Sequence, residues 1–596
     1  MIKKHFQLFK NNKPKSLILI FIGSLIAAIF EMASIGSLPI FVGFISSPEI
    51  FIDKISIMDL KLQLKNLTTF QLILYSSSGV LLIFLIKNLF LAGLIFFENK
   101  TIYKIKYDLS KKVYEYYIFS DYELYFKTDS ATVSRNILSE VDRAINNLIY
   151  IIKFLREILV VTVIFILLLI SDPIITISLS IIFSLSVGLF FMFVRKSLNS
   201  WANQNIILRK NLLQYVNEAF GSIKDIKIFQ KEKKFTEKFS QNILLSAKNS
   251  FFYQLVLNAP KIFLEVLSIS LILVITLYFL ILDKNLNSFL PFLTLIVVSI
   301  IRLVPSFNTI SQSISVYKSN CPSVEIVLNE ITKSNEKKLV RESSADSNSL
   351  KNEENFKSLE LKNISYIYPS ASSASVKEIS LKIDKSQSIG ITGKTGSGKT
   401  TLFLIMLGLL KPSTGSIFFN NKELNKNLKK WRSKIGYISQ DIFLLDDSIK
   451  KNITFFEDDN EFDKSKFQKV LEHSELKNFI DNLPNNSETK VGSNGIKLSG
   501  GQKQRIGIAR ALYKDPEILF LDEATSALDN ETEEKIIKNI KEFTSKTIII
   551  ITHRLSTISN CNKIFLIDDG KLKDHGKFDY LQTKYNLNNE KKISKH

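Results

Sequence analysis

The hydrophobic residues of this chain are concentrated in its first half, in six long runs. Each run has about 20 residues or more, which at a rise of ~1.5 Å per helical residue crosses ~30 Å of hydrocarbon. A buried core helix usually has about 8–20 residues and keeps a polar stripe, so these runs favour membrane segments. The pattern predicts a six-helix α-helical transmembrane domain over residues 1–330. The six runs are 17–45, 70–97, 148–170, 174–194, 262–282 and 289–316.

The polar connections between the runs predict the orientation of the chain in the membrane. Residues 1–16 contain five lysines and no acid, so the positive-inside rule places the N-terminus in the cytoplasm. Connections 98–147 and 195–261 are long and rich in Lys and Arg, which predicts that they are cytoplasmic too. Both contain few Gly or Pro residues. We therefore expect two long helical hairpins, with their tips near 121–130 and 217–231.

The second half of the chain has a different pattern. Residues 331–357 are dominated by Ser, Asn, Lys and Glu, which is typical of a solvated, flexible linker. Short apolar strands then alternate with helical stretches, and this predicts an α/β domain over residues 358–585. The polar end, 586–596, is expected to fray.

The charge balance changes the picture only after its distribution is considered. The chain has 78 Lys and Arg residues against 57 Asp and Glu residues, a formal net charge of +21. Much of this excess lies in the connections predicted to be cytoplasmic, so it does not indicate a nucleic-acid partner. Two cysteines and five histidines exclude a disulfide scaffold, a multi-cysteine metal site and a histidine-rich one.

A phosphate-binding loop occupies residues 393–400, between a predicted strand at 388–392 and a helical run at 401–410. The glycines let backbone N–H groups surround phosphate oxygens, and the helix N-terminus adds its dipole. Lys399 is expected to reach the β- and γ-phosphates of ATP, and the Thr400 hydroxyl to bind Mg²⁺. The predicted ATP-binding residues here are Gly393, Lys394, Thr395, Gly396, Ser397, Gly398, Lys399, Thr400 and Thr401.

A second predicted strand, 518–522, ends in two acids, Asp522 and Glu523. Asp522 is expected to hold Mg²⁺ through water, and Glu523 to polarise the attacking water as a general base. Taken alone, such a pair could simply cap the next helix. In a chain with a phosphate-binding loop, the catalytic interpretation is favoured.

A second glycine-rich helix start precedes the helical stretch 503–512. One nucleotide cannot easily use two such loops from the same chain, whereas a dimer in which each loop faces the other chain's nucleotide uses both. The pattern predicts a homodimer in which this signature acts in trans. Its residues are Ser499, Gly500, Gly501 and Gln502.

On these motifs the chain resembles the ATP-binding cassette (ABC) exporter half-transporters over nearly its full length. The resemblance implies a transmembrane domain followed by an α/β P-loop cassette, in the type I exporter (type IV ABC) architecture. It implies ATP and Mg²⁺ as cofactors, and ATP hydrolysis coupled to export. It also implies a multi-pass protein of the inner membrane with its cassette in the cytoplasm.

The resemblance assigns roles to further residues. Tyr368 matches the aromatic residue that stacks on adenine, and Gln440 matches the glutamine linked to Mg²⁺ and to coupling. Asp529 belongs to the D-loop, and His553 matches the switch histidine that contacts the γ-phosphate, although a lone histidine after a strand could also be a core residue. Ser493 stands where such exporters usually have an acid, which affects one expected coupling contact.

The substrate is predicted from charges inside the apolar runs, which are costly there and often functional. Lys87, Lys261 and Arg302 lie at places that resemble the lipid-linked oligosaccharide flippases, whose basic cavity residues are associated with the lipid pyrophosphate. The resemblance implies an amphipathic substrate, with a polyprenyl-diphosphate-linked saccharide as the best candidate. An exporter of drugs, other lipids or peptides is the alternative. Arg302 could instead pair with an acid such as Glu31 or Glu265.

A protein of a different class, a cassette ATPase of DNA repair or translation, would share the nucleotide motifs. Members of that class are soluble, and the six apolar runs argue against it. The sequence thus predicts a membrane motor rather than a nucleic-acid-associated ATPase.

Overall fold

The computed structural model has two units. The first comprises residues 1–120 and 128–345, and the second comprises residues 121–127 and 346–596. The described residues are 14–53, 64–281, 286–343, 354–369, 371–455, 457–458, 460–492, 495–525, 527–542, 546–552 and 554–585.

Helices joined by short turns make up the described residues of the first unit. Its long helices are α1 (Pro14–Ser46), α2 (Thr69–Ile118), α3 (Val141–Ser171), α4 (Pro173–Gly221), α5 (Glu232–Ile281) and α6 (Leu286–Ser343). Its shorter helices are Pro48–Asp53, Ser130–Arg135 and Ile223–Ile228, with a π-helix over Asn136–Glu140.

The starts of two long helices follow directly from local sequence. Thr68 and Gln71 form a capping box at α2, in which each side chain accepts a hydrogen bond from the other residue's backbone N–H. Asp172 caps α4 by accepting a 3.1 Å hydrogen bond from the backbone of Ile175. Pro173 in the first turn costs no helical hydrogen bond there. These caps fix where the second and fourth long helices begin.

Four helices in the described part of the chain are long and apolar enough to cross a membrane. They contain the first, second, third and sixth of the predicted runs. The first part of the fourth run lies in a shorter apolar stretch, Pro173–Ile182, at the beginning of α4. The count of six crossings therefore stays a prediction. The four helices are Pro14–Ser46, Thr69–Ile118, Thr132–Ser171 and Leu290–Ser334.

The helix α6 continues beyond the predicted end of the membrane domain at residue 330. It runs to Ser343, so the first part of the predicted linker is helical. The sequence from Ile331 to Ser343 contains no Gly or Pro that would stop a helix. The rest of the predicted linker is described only from residue 354 onwards.

The long helices of the first unit pack through an apolar cluster of α1, α3 and α6. Ala28 and Ile35 of α1, Val160 and Ile164 of α3, and Leu295 of α6 are all at least nine-tenths buried within it. Burial of apolar area in the unit holds these three helices side by side. Charged residues near this cluster are therefore also held close together.

The second unit contains two sheets. Its strands are β1 (Ser358–Tyr366), β2 (Val376–Asp384), β3 (Ser388–Thr392), β4 (Thr414–Phe419), β5 (Lys422–Glu423), β6 (Ile435–Ile438), β7 (Ile518–Asp522), β8 (Thr547–Ile551), β9 (Lys563–Asp568) and β10 (Lys571–Gly576). Three of its helices are α7 (Lys399–Met406), α8 (Gly500–Tyr513) and α9 (Asn530–Glu542). Other helices are Leu124–Lys127, Leu428–Ser433, Ile449–Thr454, Lys464–His473, Lys477–Asp481, Leu555–Ile558 and Phe578–Tyr585.

The larger sheet places the nucleotide motifs at one edge. Its order is β10-β9-β3-β8-β7-β6, and every neighbouring pair from β9 to β6 is parallel. The smaller sheet, β2-β1-β4-β5, is antiparallel. In a parallel sheet all carboxyl ends meet at the same edge, where ligands bind in open α/β folds. Thr392, Ile438, Asp522 and Ile551, which end four of the strands, therefore share that edge.

The central strands are apolar because both of their faces are covered. Every residue of β7 and of β8 is buried. One apolar cluster contains Leu519 and Leu521, and another contains Ile518 and Phe520. Because successive side chains of a strand point to opposite faces, β7 contributes to a core on each side of the sheet.

Candidate nucleotide site

The phosphate-binding loop begins where β3 ends and depends on glycine at two positions. Gly393 has φ +149°, and a Cβ atom there would lie 2.1 Å from the carbonyl oxygen of Ile567. Gly398 has φ +97°, and a Cβ atom there would lie 2.3 Å from the carbonyl oxygen of Ser375. Only glycine fits such close backbone approaches at positive φ. The residue after Gly398 begins α7, two residues before the helical run predicted at 401–410.

Two side chains in the loop show that it fits a phosphate group. The Lys399 ammonium donates 2.7 Å hydrogen bonds to the carbonyls of Gly393 and Lys394, so it lies across the loop. Ser397 is 4% exposed, and its hydroxyl has no hydrogen-bond partner among the described residues. A buried polar group without a partner is costly unless a ligand satisfies it. A phosphate oxygen at this loop would accept that hydrogen bond.

The two acids predicted to be catalytic lie at the carboxyl end of β7. Asp522 is 6% exposed, and Glu523 follows it in the left-handed region with φ +48°. Burial, together with the charge of Glu523, raises the pKa of Asp522 to about 6, while Lys399 lowers it. Gln440 donates a 2.8 Å hydrogen bond from Nε2 to Oε2 of Glu523. The segment after β6 is thus joined to the catalytic candidate.

The residues predicted to hold Mg²⁺ come from three places on this sheet edge. Thr400 is in the first turn of α7, Gln440 follows β6 and Asp522 ends β7. A hydroxyl, an amide oxygen and a carboxylate are the oxygen ligands that Mg²⁺ prefers, usually with several waters retained. This donor set fits the ion.

Tyr368, the predicted adenine-stacking residue, lies close to the first turn of α7. Its hydroxyl oxygen is 3.2 Å from Oγ1 of Thr401. Its ring packs edge-on against those of Tyr366, at a centroid distance of 5.0 Å, and Phe126, at 5.3 Å. Tyr366 in turn donates a 3.4 Å hydrogen bond to Glu123.

The segment 121–127, at the predicted tip of the first hairpin, therefore belongs to the surroundings of Tyr368. Burial and the nearby Glu123 charge raise the pKa of Tyr366 to about 12. No sequence motif predicted a role for Glu123 or Phe126. The sequence signal that could have identified them is an acid among aromatic residues at a predicted hairpin tip.

The signature residues form the start of α8. The Ser499 hydroxyl accepts a hydrogen bond from the Gln502 backbone at 3.2 Å, and Oε1 of Gln502 accepts one from the Ser499 backbone at 2.8 Å. This capping box fixes the helix start. Gln504 on the same helix accepts a 2.9 Å bond from the Ala527 backbone, which joins the signature helix to the D-loop. The proposed action of the signature in trans stays a prediction.

Three further residues named from the sequence are Asp529, His553 and Ser493. Asp529 accepts a 2.9 Å hydrogen bond from the Thr532 backbone and so caps α9. His553, the predicted switch histidine, and Ser493, the residue that departs from the usual exporter pattern, lie outside the described residues.

The charged residues of the first unit form an ion-pair cluster rather than a group of cations alone. Arg302 donates a 2.6 Å hydrogen bond from Nε to Glu31, and Lys87 lies 3.3 Å from the same carboxylate. Arg302 also lies 3.4 Å from Glu157, which accepts a 2.7 Å hydrogen bond from Ser306. Arg302 thus follows the pairing alternative stated from the sequence.

Two further observations bear on the predicted substrate residues. Lys261 is exposed on α5, and it does not join the cluster through any of the ion pairs described. Glu157 was missed by the sequence analysis. It lies within the third apolar run, where its charge was a visible signal.

Several known proteins are similar to this chain. Residues 376–526 match the ABC transporter family. A probable multidrug resistance ABC transporter ATP-binding/permease protein of Bacillus subtilis is 42% identical over 215 residues, 36% of this chain and 36% of that protein. An ATP-dependent lipid A-core flippase of Bordetella avium is 37% identical over 220 residues, 37% of this chain and 37% of that protein. The chain thus spans little more than a third of the length of these curated relatives.

A solved structure, that of a bacterial Atm1-family ABC exporter with ATP bound, is similar over nearly the whole chain. The match covers 98% of this chain and 100% of that one, with a TM-score of 0.75 and 18% sequence identity. This similarity shows a shared type IV ABC exporter fold. The residues that match the ABC transporter family, 376–526, lie within the second unit.

Proposed function

We propose that this chain is one half of an ATP-driven exporter or flippase, which hydrolyses ATP to move an amphipathic molecule across or between the leaflets of the inner membrane. The observation that carries the proposal is the arrangement of one sheet edge. There the phosphate-binding loop follows β3 and the buried Asp522 ends β7, in a chain whose other unit has four membrane-length helices among its described residues.

The residues of the site have distinct roles in the proposed reaction. Tyr368 stacks on the adenine, and the loop amides with Lys399 bind the phosphates. Thr400, Gln440 and Asp522 hold Mg²⁺, which when bound neutralises charge on the β- and γ-phosphates.

Glu523 orients the attacking water and accepts its proton. The hydrogen bond from Gln440 turns Oε2 of Glu523 towards the segment after β6. Oε1 of Glu523 is the oxygen proposed to take the proton, and it must lie within hydrogen-bond reach of the water.

The proposed active form is a homodimer in the membrane, with no nucleic-acid partner. A single chain carries one phosphate-binding loop and one signature, so two copies make two composite sites. The excess of Lys and Arg in the connections predicted to be inside favours a cytoplasmic N-terminus and cytoplasmic ATP-binding domains.

The substrate is proposed at two levels. An amphipathic molecule is the coarser proposal, and a polyprenyl-diphosphate-linked saccharide is the finer one, with drugs, other lipids or peptides as the alternative. Lys87 and Arg302 share Glu31 as a counter-ion, so a diphosphate headgroup would have to compete with that carboxylate. A cation already paired binds an added anion less strongly than a free one.

The test is ATPase stimulation in reconstituted proteoliposomes. The protein is presented with a polyprenyl-diphosphate saccharide, a lipid A-type lipid, cationic drugs and hydrophobic peptides, with Glu523→Gln as the inactive control. Stimulation by one class identifies the substrate class. Absence of any Mg²⁺-dependent ATPase activity in the well-folded wild-type protein would overturn the proposal.

A further inference from the structure

We infer that Glu533 is a positioning residue for ATP hydrolysis, holding together the two segments that follow β7 and β8. The inference rests on the proposed ATPase function. Glu533 lies on α9 and is 5% exposed. Glu533 belongs to none of the motifs named from the sequence. None of the hydrogen bonds described joins it to the phosphate-binding loop.

The Glu533 carboxylate accepts hydrogen bonds from three side chains. Its Oε1 accepts one from the Thr525 hydroxyl at 2.9 Å and one from the Thr557 hydroxyl at 2.6 Å. Its Oε2 accepts one from Nη1 of Arg554, which also forms an ion pair with it. A buried carboxylate is stable only when it is paired in this way, and charge-assisted hydrogen bonds of this kind are the strong ones.

The three donors come from the segments that carry the reaction's candidate groups. Thr525 is two residues after Glu523. Arg554 directly follows His553 in the chain, so a peptide bond joins the predicted switch histidine to a residue that Glu533 holds. Thr557 is on the short helix Leu555–Ile558.

The backbones of the same two segments are also tied to each other. The two strands are parallel neighbours, with Asp522 opposite Ile551. The Glu523 backbone N–H donates a 2.9 Å hydrogen bond to the Ile551 carbonyl. The strands end at Asp522 and Ile551, and the Glu533 carboxylate then bonds to side chains of both following segments. Its position therefore sets the spacing between the general base and the segment of the switch histidine.

The attachment of α9 to the domain does not depend on Glu533. Ile536 and Ile540, on the same helix, are 0% and 2% exposed and belong to an apolar core cluster. Burying such side chains contributes strongly to the free energy of folding. A change of Glu533 that keeps its shape should therefore leave the helix in place and alter only the link.

The decisive variant is Glu533→Gln in the full-length protein in lipid nanodiscs. The amide keeps one acceptor oxygen for the threonines, but it loses the charge that holds Arg554. We expect kcat for ATP to fall about 10–100-fold, as is usual when an orienting partner of a catalytic group is removed. KM and the affinity for a fluorescent ATP analogue should stay within about twofold, because the phosphate-binding loop is untouched.

Glu534→Gln is the matched control, since Glu534 is the next residue of the same helix and is exposed. It should have wild-type kcat. A kcat of Glu533→Gln within twofold of the wild type would overturn the inference. A fall in nucleotide affinity equal to the fall in kcat would also overturn it, because that pattern indicates a general structural role.

Two further variants cover the case in which Glu533→Gln does not fold. Thr525→Val and Thr557→Val each remove one donor while keeping the carboxylate and the side-chain shape. Each should lower kcat several-fold with an unchanged KM, and unchanged kcat in both would overturn the inference. An inactive wild-type protein would instead count against the proposed ATPase function, so the two failures are distinguishable.

Discussion

Arg302 and Glu31 are joined by a 2.6 Å hydrogen bond although 271 residues separate them in the chain. The bond connects α6 to α1, in the unit that contains the apolar helices. Side-chain exposure is 28% for Arg302 and 12% for Glu31, so both are largely removed from solvent. A charged pair in such a place is expected to matter for folding as well as for function.

Arg302→Ala should lower the thermal stability of the first unit. The change leaves Glu31 with Lys87 as its remaining described cation and removes one cation from Glu157. Leaving buried charged groups short of partners costs about 1–3 kcal/mol. The shift in the thermal unfolding midpoint of the detergent-solubilised protein measures this, and Arg302→Lys should restore most of the loss.

Lys261→Ala is the control for that experiment, because Lys261 is exposed on α5. It should leave the unfolding midpoint unchanged. If Arg302→Ala is as stable as wild type but loses substrate-stimulated ATPase with basal ATPase intact, the residue serves a substrate cavity instead of the ion-pair cluster.

Glu523→Gln should abolish ATP turnover while nucleotide binding is retained. The amide cannot take a proton from water, but the phosphate-binding loop is unaltered. Loss of a general base typically costs about 10²–10⁴-fold in rate. Phosphate release and binding of a fluorescent ATP analogue, measured on the same preparation, test both halves of the expectation. Turnover at the wild-type rate would assign the base to another residue.

Gly393→Ala should lose nucleotide affinity far more than Gly396→Ala. A Cβ at Gly393 would lie 2.1 Å from the Ile567 carbonyl oxygen, so the backbone must move, whereas a Cβ at Gly396 has no atom within 4 Å. Both positions have positive φ, which L side chains rarely adopt, so both variants carry backbone strain. Equilibrium binding of an ATP analogue compares them, and equal affinities would argue against the close approach.

Mixed dimers should reveal whether the signature acts in trans. Lys399→Ala and Ser499→Ala homodimers each have a defect in every composite site. A heterodimer of the two has one site with both defects and one with neither. We expect ATPase activity to reappear on mixing the two variants before reconstitution. Continued inactivity of purified heterodimers would mean that each chain uses its own signature.

The nucleotide motifs were predictable from sequence because their chemistry is local. The phosphate-binding loop needs a strand, a few glycines and a helix start in direct succession, and the structure has that order from β3 to α7. The end of β7 at Asp522 was equally predictable, because a strand buried on both faces is continuously apolar until its first acid. The helix ends were less predictable. The helix α6 extends to Ser343 because a polar composition without Gly or Pro does not by itself stop a helix.

The sequence alone determined where the membrane-length runs lie, which residues could bind phosphate and which acids could serve Mg²⁺ and water. These depend on periodicity and on neighbours in the chain. Only the tertiary structure decided which charged and polar side chains meet: Glu157 and Glu31 at Arg302, and Glu533 with Thr525, Arg554 and Thr557. A carboxylate has the same sequence letter whether it is solvated or bonded. Its partner is fixed by the packing of helices and strands that are distant in the chain, because burial makes an unpaired charge too costly to keep.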